Sequence, residues 1–240
     1  MSSVIFDGHD LSELFIIGDT SITVFGHRVR YDESDNRNGS VVLGRTWGNG
    51  SVTFSVANVG DMEERRDRWS MLAAWLDVDE PKKLVLPDTP GRYYWAIPDG
   101  DVTPDRYYNN EVAQLTFTIT DPIAYGRERT ITIPSGGSAS FTVNGTAPTM
   151  PIITANAVRN ATSQVWGLRL DEGDFIHIET GSASARSVVL DCEKRTLVLN
   201  NSVAIPTIDS DWLELTPGQH TLRMDNGTGA ATVTLVERWR

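Results

Sequence analysis

Three carboxylates within four positions, Asp171, Glu172 and Asp174, are the side chains best placed along this sequence for acid–base chemistry. A glycosidase built on a β-sandwich needs two such groups flanking the scissile bond, at a separation set by its mechanism. Such an enzyme predicts two carboxylates facing one cleft and activity lost on Glu172→Gln. The local composition, Leu170-Asp171-Glu172-Gly173-Asp174, is also that of a tight turn between two strands. On those flanking strands Trp166 and His177 are candidates to stack or hold a sugar ring. His177 is followed by Ile178 and Glu179, so no H-x-N-x-R sugar-binding pattern accompanies it. The four histidines, His9, His27, His177 and His220, are far apart in sequence, and no metal-ligand spacing is present. No cofactor is implied either: the sequence has neither a phosphate-binding Gly-rich loop nor a G-x-S-x-G nucleophile elbow. The single Cys192 cannot form an intrachain disulfide and is read as a small buried hydrophobe in a protein that folds in a reducing compartment.

The elements that must position these residues divide at Asp121-Pro122-Ile123-Ala124-Tyr125-Gly126. A strand pattern over 112–120 runs into Asp-Pro, where proline removes the next ladder donor and forces an exit turn. At 240 residues this predicts two domains, 1–126 and 127–240. The first opens with short strands at 3–6 and 13–17 and a longer one from Ile22 to Tyr31, then a polar loop, Asp32 to Ser40. One helix is expected over 62–76. Asp61 is its cap and Glu64 completes a capping-box-like pattern, with Met62, Arg65, Trp69, Leu72, Ala73 and Leu76 at helical spacing. The run Arg65-Arg66-Asp67-Arg68 reads as a solvated face partnered by Glu63 and Glu64.

Beyond Gly126 the hydrophobic period stays near two. Ten short strands are predicted, the eighth at Trp212–Leu215, with hairpin turns at Asn144-Gly145, Asn200-Asn201 and Asn226-Gly227. The fold class is mainly β: an α+β first domain with one helix, followed by a β-sandwich.

Net charge is −11 and unevenly shared: residues 1–126 carry 11 Lys/Arg against 20 Asp/Glu, whereas 127–240 carry 10 against 12. An acidic surface without a basic stripe disfavours specific nucleic-acid binding. No apolar run approaches the roughly 20 residues that span a bilayer, and the N-terminus lacks a basic-then-apolar leader, so neither a membrane nor signal-directed secretion is expected.

Five segments in order resemble the distal tail proteins of long-tailed siphophages. They are Phe6-Asp7-Gly8-His9-Asp10-Leu11, the helix around Arg66 to Leu76, the Asp-Pro-x-x-Tyr-Gly stretch ending at Gly126, Asp191 to Asn200, and Asp211 to Gly218. The resemblance covers essentially the whole chain. It implies a ring-forming first domain, a galectin-like second domain and a non-enzymatic role. Six copies would form a homohexameric ring at the tail tip of the virion, assembled in the host bacterial cytoplasm. The ring would join the tail tube protein and tape-measure protein to a tail-associated hub protein and, in many phages, a receptor-binding protein. An acidic wall would suit a duct through which DNA slides. The chain lacks the long inserted arm and the extra carbohydrate-binding module of larger relatives, which weighs against direct receptor binding.

A closed ring needs a heterologous interface. The candidates are the strand carrying Arg28, Arg30 and Tyr31, the loop with Asp35 and Arg37, and the loop with Arg106 and Tyr107. Arg28 and Arg30 alternate to one strand face, where a neighbour's carboxylates would meet them. The alternative function is a carbohydrate-binding sandwich active in host attachment, which requires Trp166 or His177 exposed on a concave face.

Overall fold

The computed structural model describes residues 3–23, 26–33, 38–181 and 184–240. The chain forms two compact units, Met1–Ala124 and Tyr125–Arg240. It is mainly β, with a single α-helix among the described residues.

In the first unit the strands are β1 (Ile5–Phe6), β2 (His9–Asp10), β3 (Ile16–Thr23), β4 (His27–Glu33), β5 (Ser40–Trp47), β6 (Gly50–Val59), β7 (Lys82–Val85), β8 (Tyr94–Pro98), β9 (Asp105–Arg106) and β10 (Asn110–Ile119). The main sheet runs β2-β1-β7-β8-β10-β6-β3, with β9 also on β10, while β4 and β5 pair only with each other. Strict alternation builds this sheet: Val52, Phe54 and Val56 of β6 and Ala113, Leu115, Phe117 and Ile119 of β10 all point inward. The Phe117 ring lies 4.9 Å from Phe6 and 5.7 Å from Phe54 at the centre of the core. The start differs from the sequence expectation, because Leu11–Glu13 is a 3-10 turn capped by Asp10 and β3 begins only at Ile16. Rather than one strand from Ile22 to Tyr31, β3 ends at Thr23 and β4 starts at His27; Val24 and Phe25 lie outside the described residues.

Helix α1 spans Met62–Leu76. The Asp61 carboxylate accepts the Glu63 and Glu64 N–H groups at 3.0 and 2.9 Å, satisfying two donors that the helix leaves open. Glu64 does not close the box; it pairs with Arg68 at 3.3 Å. Asp61→Ala is expected to lower the stability of this unit by about 1 kcal/mol, read as a shift of its thermal midpoint.

Leu72 is the one fully inward apolar residue of α1, flanked by Trp69 against Phe15 at 4.8 Å and Trp75 stacked on His9 at 4.5 Å. Two of the helix readings fail. Met62 and Ala73, at inner-stripe spacing, are exposed, and Arg65, which the spacing places on that stripe but which was also read in a solvated run, is only 8% exposed. The buried Asn58 at the end of β6 explains the second. Its amide donates to the Arg65 carbonyl at 2.9 Å and draws the first turn onto the sheet.

The second unit contains β11 (Ala124–Ile133), β12 (Ser138–Val143), β13 (Ile152–Ala157), β14 (Val165–Leu170), β15 (Phe175–Glu179), β16 (Arg186–Asp191), β17 (Thr196–Leu199), β18 (Ser202–Ala204), β19 (Gly218–Asn226) and β20 (Ala231–Trp239). They form two sheets, β11-β20-β13-β16-β17-β18 and β12-β19-β14-β15, around a core including Ile153, Leu168, Ile176, Leu190 and Val233. The last strand is internal to the first of these sheets, between β11 and β13.

Trp212–Leu215 is not a strand. Leu213 and Leu215 point into the core, which produces the alternation, but only a single bridge, Thr149 to Leu215, joins the segment to a neighbour. Of the three Asn turns, only Asn200-Asn201 closes a hairpin, β17 to β18, with both residues in the left-handed region at φ 49° and 63° that such turns require. Asn144-Gly145 and Asn226-Gly227 instead carry the chain between the two sheets. Cys192 is buried, and that burial pushes its thiol up to about 12, so it is an inert core residue.

Candidate assembly interface

The β4–β5 ribbon is the feature of the first unit that the core does not explain. An isolated two-stranded ribbon is marginal in water and is stabilised by packing one face on something. Its register sets His27 opposite Trp47, Arg28 opposite Thr46, Val29 opposite Arg45 and Arg30 opposite Gly44. A bulge after Arg30 then skips Leu43, so that Tyr31 faces Val42. Because facing residues share a side and neighbours alternate, one face carries His27, Val29, Tyr31, Val42 and Trp47 together with Glu33 and Arg45, and the other carries Arg28, Arg30, Asp32, Val41 and Thr46. Tyr31 and Val42 on the apolar face are 55% and 60% exposed, and the displaced Leu43 is 62% exposed. Within the apolar face His27 packs on Trp47 with ring centres 4.4 Å apart, and Arg45 donates to the His27 Nε2.

The ribbon thus carries three of the residues singled out from sequence, Arg28, Arg30 and Tyr31, with the arginines and the tyrosine on opposite faces. Asp35 and Arg37, between β4 and β5 in sequence, lie outside the described residues. Arg106 and Tyr107 are on a different element, the tight turn from β9 to β10. There the Tyr107 N–H donates to the Asn110 carbonyl at 2.8 Å and Arg106 pairs with Glu111 at 3.5 Å. Val42, Leu43 and Trp47 were missed by sequence reasoning; the signal was the apolar run Val41-Val42-Leu43 in a strand with no third strand to cover it. A second feature is the edge strand β3, whose outer side pairs with no described strand and which exposes Ile16.

The sandwich residues singled out for sugar chemistry are differently placed. Trp166 has no exposure and belongs to the core, because its position on β14 alternates inward with Leu168 and Leu170; it cannot stack a sugar. His177 is on the outer face, tied to Asp225 at 2.7 Å and to the Asn226 amide at 3.1 Å. Arg169 grips the same Asp225 with two hydrogen bonds of 3.0 Å and lies over the Phe175 ring. The carboxylates Asp171 and Glu172 of the 171–174 turn are tied to different partners. Asp171 accepts from the His220 ring at 2.8 Å and the Thr221 N–H at 2.7 Å, while the exposed Glu172 reaches Arg223 at 3.5 Å. Among the described residues no group of three or more His, Cys, Asp or Glu is placed to hold a metal ion, and no helix is long and apolar enough to cross a membrane.

The Arg169 hydrogen bonds hold the Asp225 carboxyl below its ordinary 3.8, with burial opposing and His177 adding to the effect. For Asp171 burial is the largest influence and pushes upward, but the His220 and Thr221 hydrogen bonds outweigh it and the net direction is down. A carboxyl lowered in the folded state contributes stability that is present above its unfolded value and lost as pH falls through its folded value. Asp225→Asn is therefore expected to cost about 1–2 kcal/mol at pH 7. The deficit should shrink toward zero below pH 3.8, as melting midpoints of the two proteins taken from pH 7 to pH 2 would record.

A helix-bearing antiparallel sheet followed by a two-sheet sandwich is the architecture of known components of phage tails. Two family models match in chain order: "Phage tail protein RIFT-related domain" over residues 9–119 and "Siphovirus-type tail component, C-terminal domain" over 144–239. The chain belongs to the siphovirus distal tail protein family. It is 24% identical over 250 residues to the distal tail protein of Bacillus phage SPP1, covering 99% of this chain and 95% of that one. The crystal structure of the SPP1 Dit protein, described as a paradigm of hub adsorption apparatus in Gram-positive infecting phages, superposes with a TM-score of 0.80 at 20% identity over 100% of both chains. A chain of the phage P2 baseplate in its activated conformation shares the fold more distantly, with a TM-score of 0.52 at 11% identity over 99% of this chain and 98% of that one. These relatives are structural tail and baseplate proteins, and the role at the tail tip of the virion follows from them.

Proposed function

We propose that six copies of this chain close into a ring at the tail tip. The first unit makes the ring, and the ring joins the tail tube and tape-measure proteins to the tail-associated hub protein and, through it, to receptor-binding proteins. The observation that carries the proposal is the β4–β5 ribbon, on which Tyr31, Val42 and Leu43 are each more than half exposed and no third described strand pairs. A face of this kind is covered when a second copy supplies the missing layer, and a heterologous contact repeated by a fixed rotation closes a ring. The boundary between a ring domain ending near residue 126 and a sandwich from 127 is part of this proposal. So is its chemistry: the role is architectural rather than catalytic, and assembly takes place in the host cytoplasm.

The net −9 of residues 1–126 supports a duct that repels phosphate and lets DNA pass without sticking. Light scattering across a range of concentrations, with negative-stain images, tests the proposal. The expected result is a mass six times that of the chain and rings with a central channel. A concentration-independent monomer, persisting when the tail tube and hub proteins are added, overturns it.

A further inference from the structure

A groove runs along helix α1, between it and the segment from Pro98 to Tyr108, and it is polarised from end to end. The half beside the C-terminal part of the helix is apolar, a half-open space of about 690 Å³ walled by Leu72, Leu76, Pro98, Val102 and Pro104, with Asp77 at its far end. The half beside the N-terminal part, about 570 Å³, is lined by Arg65, Arg66 and Arg106 together with Trp69, Tyr107 and Tyr108. Trp69, Ala73 and Pro104 line both halves, so the two are continuous.

The cationic half is built rather than incidental. Arg65 is 8% exposed, and its only side-chain hydrogen bond among the described residues is Nε donating to the Asp61 carbonyl at 3.3 Å. Its two terminal nitrogens have no protein partner among the described residues. Arg68 on the same helix is, by contrast, fully engaged by Glu64, Asn58 and the Val59 carbonyl. The one acid lining this half, Glu111, is already committed to the Trp69 indole at 2.6 Å and to Arg106 at 3.5 Å. The Arg65 terminal nitrogens open onto the groove, where water meets them in the free chain, and a carboxylate that replaces that water gives a stronger, charge-assisted pairing.

We infer that this groove is a docking site for a peptide segment of a partner protein that presents carboxylates at one end and aliphatic or aromatic side chains at the other. The carboxylates meet Arg65, Arg66 and Arg106, and the apolar side chains fill the Leu72–Val102 half. Charge complementarity selects the occupant. The ribbon of a second copy is disfavoured because its polar face carries Arg28 and Arg30 against the one carboxylate Asp32, and would set a net positive face against three arginines. A nucleic acid is disfavoured because its many phosphates meet the net −9 of the surrounding domain, whereas a short peptide feels chiefly the local arginines. The site does not depend on the ring, so the two proposals fail separately.

The test uses the full chain, isotope-labelled, titrated with two capped peptides, acetyl-Glu-Asp-Leu-Leu-Phe-amide and its reverse, and with their Gln/Asn counterparts. The expected result is saturable movement of the Trp69 indole and Ala73 signals by one of the acidic peptides. Affinity should fall at least tenfold for its amide counterpart and at least fivefold for Arg65→Met. Because Arg65 is buried, the exposed variants Arg66→Ala and Arg106→Ala serve as independent checks, each expected to weaken binding two- to fivefold with the melting midpoint unchanged. Equal binding of the acidic and amide peptides, no saturable movement with either acidic peptide, or groove signals that move with the concentration of the chain itself would overturn the inference.

Discussion

Tyr31→Asp combined with Val42→Asp is expected to leave the chain folded and to abolish its ring. Both side chains are more than half exposed and directly opposite one another on the apolar face of the β4–β5 ribbon, so in a lone chain they touch little and their replacement removes no core packing. Surface changes of this kind shift stability by about 0.5 kcal/mol each. In the assembled ring the same positions would sit at the centre of a contact, where a few aromatic and aliphatic anchors carry most of the free energy. Two buried carboxylates there would each cost several kcal/mol, repeated at every interface of a closed ring. Mass measurement should find monomer at concentrations where the parent protein is assembled, with the melting midpoint of the monomer within about 2 °C. Arg28→Ala with Arg30→Ala, on the opposite face, is the contrast: a weaker and salt-dependent effect is expected, because exposed charges are screened and worth little singly. An assembled Asp variant would show that the ring is made elsewhere, with the open edge of β3 as the next surface to examine.

Trp166→Ala should be the most damaging single change in the sandwich. The residue has no exposure, and truncating a buried aromatic to alanine costs about 3–5 kcal/mol in lost transfer free energy and residual cavity. The turn after β19 is shaped to it. Gly227 has φ +78°, and a Cβ there would lie 3.0 Å from the Trp166 ring and 2.4 Å from the Val158 carbonyl, so neither the turn nor the ring has room to adjust. The indole N–H is buried without a hydrogen-bond partner among the described residues, so Trp166→Phe should cost less than half as much as alanine. Urea unfolding followed by circular dichroism would measure both. A Trp166→Ala protein as stable as the parent would mean that the ring is a surface feature and would return sugar stacking to consideration.

Periodicity is a local property, and what depends on it was legible along the chain. The 3.6-residue spacing and the Asp61 cap marked α1 at Met62–Leu76, and the twofold alternation marked most strands of the sandwich and the mainly β class. Five short motifs in order were enough to recognise the family. Alternation alone could not separate a ladder strand from a buried coil. Trp212–Leu215 places two leucines in the core with a single bridge, because a chain lying across the end of a core buries every second residue just as a strand does.

What the sequence by itself determined is what each residue can know from its near neighbours: element type, the turn chemistry of Asn200-Asn201, the acidity of the first half, and family membership. Which face of each element meets another was decided only by the tertiary structure. Trp166 went inward because β14 pairs with β15 and β19 in the register that points its Leu168 and Leu170 to the core. Arg65 was buried by Asn58, seven residues earlier on a strand. Tyr31 was set across from Val42 rather than Leu43 by one bulge in the ribbon. Each outcome rests on pairing between segments distant in the chain or on a one-residue change of register, and a register shift moves side chains to the other face without altering the pattern from which they were read.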